Sequence, residues 1–270
     1  MNASASPASS PLLRSDRDGT AVLTLDRPDA RNALSEALID ALSAELDAIA
    51  ADPRVRVVVL AADGPAFCAG HDLKELTTRR ADPDGGRSYY SDLFERCSAL
   101  MGRIVRLDRP VITAVEGIAT AAGCQLVASC DLAVAGEAAA FCTPGVHIGL
   151  FCSTPMVALS RNVAPKHAME MLLLGDPITA AEAARIGLVN RVVPAGGAVR
   201  EALRMAAAIG TKSADTLAVG KRAFQVQREM DLDAAYAYAG RIMAENMMSR
   251  DAVEGIGALL EKRSPTWVGI

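Results

Sequence analysis

Aromatic residues are scarce in this 270-residue chain: they fill 4% of positions, with a single Trp. That composition argues against an aromatic-rich all-β sandwich. Abundant Ala and Val within the 51% apolar content point instead to helices packed on a parallel sheet. A basic excess is also missing. With a formal net charge of −4 and a pI near 5.5, nothing electrostatic points to nucleic acid as a partner. No apolar run approaches the ~20 residues of a membrane helix. The six cysteines (Cys68, Cys97, Cys124, Cys130, Cys142, Cys152) lack CxxC spacing and paired histidines. The expectation is free buried thiols, no metal, and a reducing compartment: the cytoplasm, or the mitochondrial matrix in a eukaryote.

Several chemical signatures are absent as well. There is no G-x-G-x-x-G after the first strand, no P-loop, no G-x-S-x-G and no H-E-x-x-H. A dinucleotide oxidoreductase and a serine hydrolase both lose their main support. His71, His147 and His167 are far apart and form no nucleophile–base pair in the sequence.

What is present reads as an α/β chain. TAVLTL (20–25) alternates as a strand, and Leu38, Leu42, Leu46 and Ile49 recur at helical spacing across 35–51. VRVVVLAA (55–62) has the continuous apolar character of a strand covered on both faces. Helix near 91–107, strand 111–115, helix 123–129 and strand 131–135 follow. This alternation predicts right-handed crossovers and a parallel sheet. Beyond residue 155 the pattern is helical, with one short strand in 188–194.

Two Gly/Ala-rich turns each follow a predicted strand: AFCAGHD (66–72) and GIATAAGCQ (117–125). In an open parallel sheet, ligands bind where loops leave the carboxyl ends of strands. Small residues there leave backbone N–H groups uncovered, and beside a helix start such groups meet a developing negative charge with a dipole already oriented. Two adjacent turns of this kind can make an oxyanion hole; each alone also reads as a plain tight turn.

These turns lie among further recognisable segments: LDRPDARNALS (25–35), AFCAGHDLKEL (66–76), CDLAVAG (130–136), GDPITAAEAARIGLVNRVVP (175–194) and RDAVEGIGALLEKRSPTW (250–267). In this order and spacing the chain resembles the crotonase, or enoyl-CoA hydratase/isomerase, superfamily from about Thr20 to Trp267. ATAAGCQLVASCD and TPGVHIGLFCSTP point to one branch of it. The Ser-, Ala- and Pro-rich start reads as a flexible tail over 1–18, and the resemblance implies a crotonase-like ββα spiral over 19–195 and a C-terminal helical trimerisation region over 196–270. A homotrimer or dimer of trimers follows, as does an acyl-CoA thioester substrate with no cofactor beyond the coenzyme A it carries. The thioester carbonyl is expected between the main-chain N–H groups of His71 and Ala122, lined by Ala69, Asp72, Leu73, Gly123 and Gly145. The His71 imidazole is then not an acid or base by position; it fills the acyl pocket or caps the loop. Arg31 and Lys74 match positions that hold CoA phosphates, with Lys262 and Arg263 weaker candidates.

The chain departs from the hydratase pattern where the proton chemistry belongs. The two glutamates that hydratases use fall at Gln125 and Gly145. An amide orients water but does not exchange protons near neutral pH, and glycine does neither. Other subfamilies place an aspartate at what is here Ser153, a weak base without an activator. His147 and Cys152 are further neighbours of the pocket. Three functions follow: an enoyl-CoA hydratase of fatty-acid metabolism with Gln125 orienting water, another CoA-thioester reaction (isomerase, thioesterase, decarboxylase), or a non-catalytic acyl-CoA-binding protein.

Overall fold

The computed structural model describes residues 10–268. Strands β1 (Leu12–Arg17) and β2 (Thr20–Leu25) form an antiparallel hairpin closed by Asp18 and Gly19, both at positive φ as a two-residue turn of this hand requires. Helix α1 (Glu36–Ala51) starts at Ser35, whose hydroxyl accepts the Leu38 N–H, and buries Leu38, Leu42, Leu46 and Ile49. Three ββα turns follow. The first holds β3 (Val57–Ala62), β4 (Ala66–Cys68), α2 (Leu73–Thr78) and α3 (Arg87–Arg106). The second holds β5 (Val111–Val115), β6 (Ile118–Thr120) and α4 (Ala122–Ser129). The third holds β7 (Leu132–Gly136), β8 (Ala140–Cys142), α5 (Ser153–Leu159) and α6 (Pro165–Leu174). Then come β9 (Ile178–Thr179), α7 (Ala180–Arg185), β10 (Arg191–Val193), α8 (Ala198–Gly210), α9 (Ala214–Gln227), α10 (Leu232–Met247) and α11 (Arg250–Leu260).

Each turn contributes one strand to each of two sheets. The first is ordered β1-β2-β3-β5-β7-β10 and the second β4-β6-β8-β9, parallel except at β1 and β9. This is the ββα spiral expected from the sequence. The main core lies between the first sheet and the helices α1, α3 and α4, around Leu23, Leu38, Leu93, Leu100 and Phe141.

Three features differ from the sequence reading. The tail expected over 1–18 ends earlier, because Leu12–Arg17 pair with β2; residues 1–9 lie outside the described residues. The stretch 63–76, read as loop, contains β4 and the start of α2; three-residue strands carry too little pattern to show in sequence. The boundary at 195 also cuts through the core, since Ala198, Ala202 and Ala206 of α8 pack on Val57, Val59 and Ala114 of the first sheet.

A partly buried ion pair ties the next helix down. The Lys221 ammonium of α9 donates to the Ile104 (3.1 Å) and Arg109 (3.0 Å) carbonyls and to the Asp131 carboxylate (2.6 Å). Burial pushes the Asp131 carboxyl above its ordinary pKa, and Lys221 opposes that push.

Candidate active site

Two neighbouring strands deliver the site. β4 and β6 run parallel, paired through Ala66–Ile118 and Cys68–Ala119. Each exits into a turn that starts a helix: α2, N-capped by Asp72, and α4, beginning at Ala122.

The segment before α1 holds the first turn in place. Arg31 and Asn32 adopt left-handed backbone (φ 50° and 53°), which tucks the Asn32 side chain fully inside. Its amide donates to the carbonyls of Asp63 (2.7 Å) and Ala66 (2.8 Å), and its oxygen accepts the Arg27 N–H (2.7 Å). Further along, Ala69 N–H donates to Arg31 (3.0 Å), Leu34 N–H to Gly70 (2.7 Å) and Asp72 N–H to Leu34 (3.2 Å). His71 is thus pinned on both flanks against Leu34. Its own N–H has no protein acceptor among the described residues. Arg27 adds an ion pair to Asp72 (3.0 Å). Burial raises the Asp72 carboxyl, but Arg27 and the Lys74 and Glu75 amides outweigh it, so the group stays below its ordinary pKa.

The second turn is strained. Ala121 has φ 50° and ψ −116°, a conformation usual for glycine that costs ~1–3 kcal/mol in other residues. Its N–H donates to Cys142 (2.9 Å), fixing the turn to β8. Ala122 is the first residue of α4, and its N–H likewise has no protein acceptor among the described residues. All eight residues of α4 are buried.

Glycine lets the turns touch. A Cβ on Gly70 (φ +85°) would lie 3.0 Å from the Ala121 Cβ and 3.5 Å from the Ala122 nitrogen; one on Gly123 would lie 2.2 Å from the Cys68 carbonyl oxygen. The turn carrying His71 therefore abuts the start of α4 at Ala122. Two uncommitted amides at one junction, with the positive end of a helix dipole behind one of them, suit a carbonyl oxygen that gains charge.

The other residues named from sequence divide clearly. Gln125 is 3% exposed, and its side-chain oxygen lacks a protein partner. Gly145 is buried with no space beside it: a Cβ would lie 2.7 Å from the Leu150 carbonyl oxygen and 3.0 Å from the Cys152 sulfur. Burial pushes the Cys152 thiol up, against a weaker pull from the Gly145 backbone. Ser153 is exposed and its hydroxyl donates to Phe151 (3.3 Å), which does not activate it. His147 is exposed, 3.8 Å from Asp176.

Arg31, Leu73 and Lys74 are exposed beside the first turn, and neither Arg31 nor Lys74 forms an ion pair among the described residues. Lys262 is exposed too. Arg263, in contrast, is engaged by Glu254 and Glu261, both at 2.6 Å.

Neither ring nitrogen of His71 completes a hydrogen bond within the protein, and the ring stands edge-on to Phe94 of α3 at 5.3 Å and 75°. Burial holds its pKa below the ordinary histidine value, against a weaker opposing pull from the Leu34 backbone.

Sequence reasoning missed Arg27, Asn32 and Phe94, and read Ala121 only as a small residue of the turn. Asn32 carried a signal in retrospect, as the one amide in an otherwise apolar NAL step. Phe94 carried none, because a crossing helix brings it in from far along the chain.

Comparison with known proteins agrees with this architecture. Residues 15–269 match the enoyl-CoA hydratase/isomerase family. A relative from Rattus norvegicus, the mitochondrial enoyl-CoA hydratase domain-containing protein 3, is 45% identical over 97% of this chain and 87% of its own length. The crystal structure of a Mycobacterium smegmatis enoyl-CoA hydratase superposes with a TM-score of 0.90 at 53% identity, covering 95% of this chain and 98% of that one. The human enoyl coenzyme A hydratase domain-containing protein 3 gives a TM-score of 0.90 at 44% identity, over 95% and 100% of the two chains. With its spiral of paired sheets and its two abutting turns, the chain belongs to the enoyl-CoA hydratase/isomerase family, the crotonases.

Proposed function

We propose that the protein binds an acyl-CoA thioester with its carbonyl oxygen between the His71 and Ala122 amides, and hydrates an enoyl-CoA at that site. The contact of Gly70 with the start of α4 supports this reading, because it brings the turn that carries the His71 amide against the one that carries the Ala122 amide, and neither amide has a protein acceptor among the described residues. In hydration the water oxygen bonds to Cβ, the double-bond electrons move onto the thioester oxygen, and a proton is added at Cα. Each donor is worth ~3 kcal/mol to the charged intermediate. Gln125 orients the water through its unpaired oxygen. With no carboxylate at 125 or 145, turnover is slow. Arg31 and Lys74 hold the CoA phosphates.

A second reading draws on Gln125 and Gly145 themselves: a reaction that needs only enolate stabilisation, such as decarboxylation, in which the departing carboxylate leaves its electron pair to the held enolate. Incubation with crotonyl-CoA and a longer enoyl-CoA, followed by mass spectrometry, separates these readings. A water adduct supports hydration; bound but unchanged thioester contradicts it.

Assembly and compartment belong to the same proposal. Leu232, Tyr236, Met243, Leu259 and Leu260 are exposed on α10 and α11, which supports burial in a trimer or dimer of trimers. The cytoplasm expected from sequence gains nothing from the relatives, and the name of the rat relative supports the mitochondrial alternative. No helix among the described residues is long and apolar enough to cross a membrane.

A further inference from the structure

We propose that the His71 imidazole carries the proton of the reaction, in place of the carboxylates that this chain lacks. The inference deepens the hydratase reading and rests on the same thioester pose. Buried polar side chains are nearly always hydrogen-bonded, so one left open calls for a partner from outside the protein. Both nitrogens of His71 are buried and neither meets hydrogen-bond geometry with a protein partner, the Leu34 backbone pulling on the ring only weakly. The ring is held in place rather than free to turn out: Leu34 pins the backbone on both flanks, and Phe94 stands against the ring edge.

Covalent geometry then places it. The His71 amide is the proposed donor to the thioester oxygen, ~2.9 Å away, and a histidine ring nitrogen lies within ~3–6 Å of its own amide nitrogen. The acyl Cα and Cβ sit within ~4 Å of the same oxygen. The ring thus belongs to the same residue as the proposed oxyanion donor, and the proposal sets one of its nitrogens toward the acyl Cα and Cβ, directly or through one water, the range a proton carrier needs. Three other groups named for the site are weaker candidates. Ser153 is exposed, Cys152 is held as a thiol by burial, and Asp72 faces Arg27.

The step balances. The imidazole takes a proton from water as the water oxygen bonds to Cβ, and the electron pair of the double bond moves onto the thioester oxygen held by the two amides. The imidazolium then returns its proton to Cα, leaving 3-hydroxyacyl-CoA and a neutral ring. The base must start neutral. The groups packed on the ring, Leu34 and Phe94, are uncharged; Glu36 pairs with Arg96, and Glu75 accepts the Glu36 N–H. Burial favours the neutral form.

His71→Ala provides the test, because it removes the ring and keeps the main-chain donor. The expected result is a fall in kcat for crotonyl-CoA hydration of ~10²-fold or more, with KM little changed. The wild-type rate has an acid limb below the ordinary histidine range that the variant lacks, and added imidazole restores part of the variant's rate. A merely structural ring would move neither the pH profile nor the imidazole response. Exchange of the Cα proton of butyryl-CoA in D2O is measured on both proteins. Exchange without hydration in the wild type, lost in His71→Ala, sinks the hydratase reading and leaves the proton-carrier assignment standing. Near-wild-type rates in His71→Ala overturn the assignment alone. Thioester binding with neither reaction in the wild type overturns both.

Discussion

Gly123 presses directly on Cys68: a single methyl added at Gly123 would meet the Cys68 carbonyl oxygen at 2.2 Å. The first turn of α4 is therefore seated on the strand that leads to the other turn. Gly123→Ala forces the two apart, with an overpacking cost of ~1–3 kcal/mol. Urea denaturation is expected to show that loss, and calorimetry a weaker binding of butyryl-CoA. Full stability with unchanged binding would mean that the contact does not set the site.

Asn32 is the bolt beneath the first turn. Asn32→Ala leaves the Asp63 and Ala66 carbonyls and the Arg27 N–H without their buried partner. Each orphaned group costs ~1–3 kcal/mol, less whatever water recovers. The expected outcome is a large drop in the denaturation midpoint, with thioester binding lost alongside it.

The two glutamate positions are not equivalent. Gln125→Glu changes one buried atom and is expected to accelerate hydration. Its burial raises the new carboxyl's pKa above the unfolded value. Stability relative to the wild type is then preserved at low pH and falls away as pH rises through the folded pKa. Gly145→Glu has no room, because even its Cβ collides with the Leu150 backbone. It is expected to lose ~1–3 kcal/mol and gain no rate. Denaturation against pH and a crotonyl-CoA assay of each variant check both outcomes.

Lys221→Met tests the anchor of α9. It leaves the partly exposed Asp131 carboxylate and the Ile104 and Arg109 carbonyls without their cation and should cost ~1–3 kcal/mol. Asp131 has a raised pKa in the folded state, so the folded chain binds that proton more tightly than the unfolded chain does. Its contribution to stability is present below the unfolded carboxyl value and is lost as pH rises through the folded one. Without Lys221 that folded value climbs further. The variant's deficit is therefore expected to be small near pH 4 and to widen towards neutrality, read from urea midpoints at each pH.

Long elements were legible in the sequence because they repeat. The apolar spacing of α1 and the unbroken valines of β3 identify themselves, and the Gly/Ala turns mark where a backbone must stay bare. The second sheet was not legible. Strands β4, β6 and β8 are three residues each, too short for a period, and exist because each pairs with a neighbour from another turn of the spiral. Position 125 was recognisable as an amide among apolar residues, but not that its oxygen lacks a partner. The crowding at Gly145 comes from the fold-back of Leu150 and Cys152, which composition does not reveal.

The central claim is that the His71 and Ala122 amides share one thioester oxygen. Infrared difference spectroscopy of butyryl-CoA labelled with carbon-13 at the carbonyl reads that directly. On binding, the account expects the carbonyl stretch to move to lower frequency, and to do so equally in His71→Ala, since the donor is the main chain. A bound thioester whose carbonyl frequency stays at its value in water would contradict it.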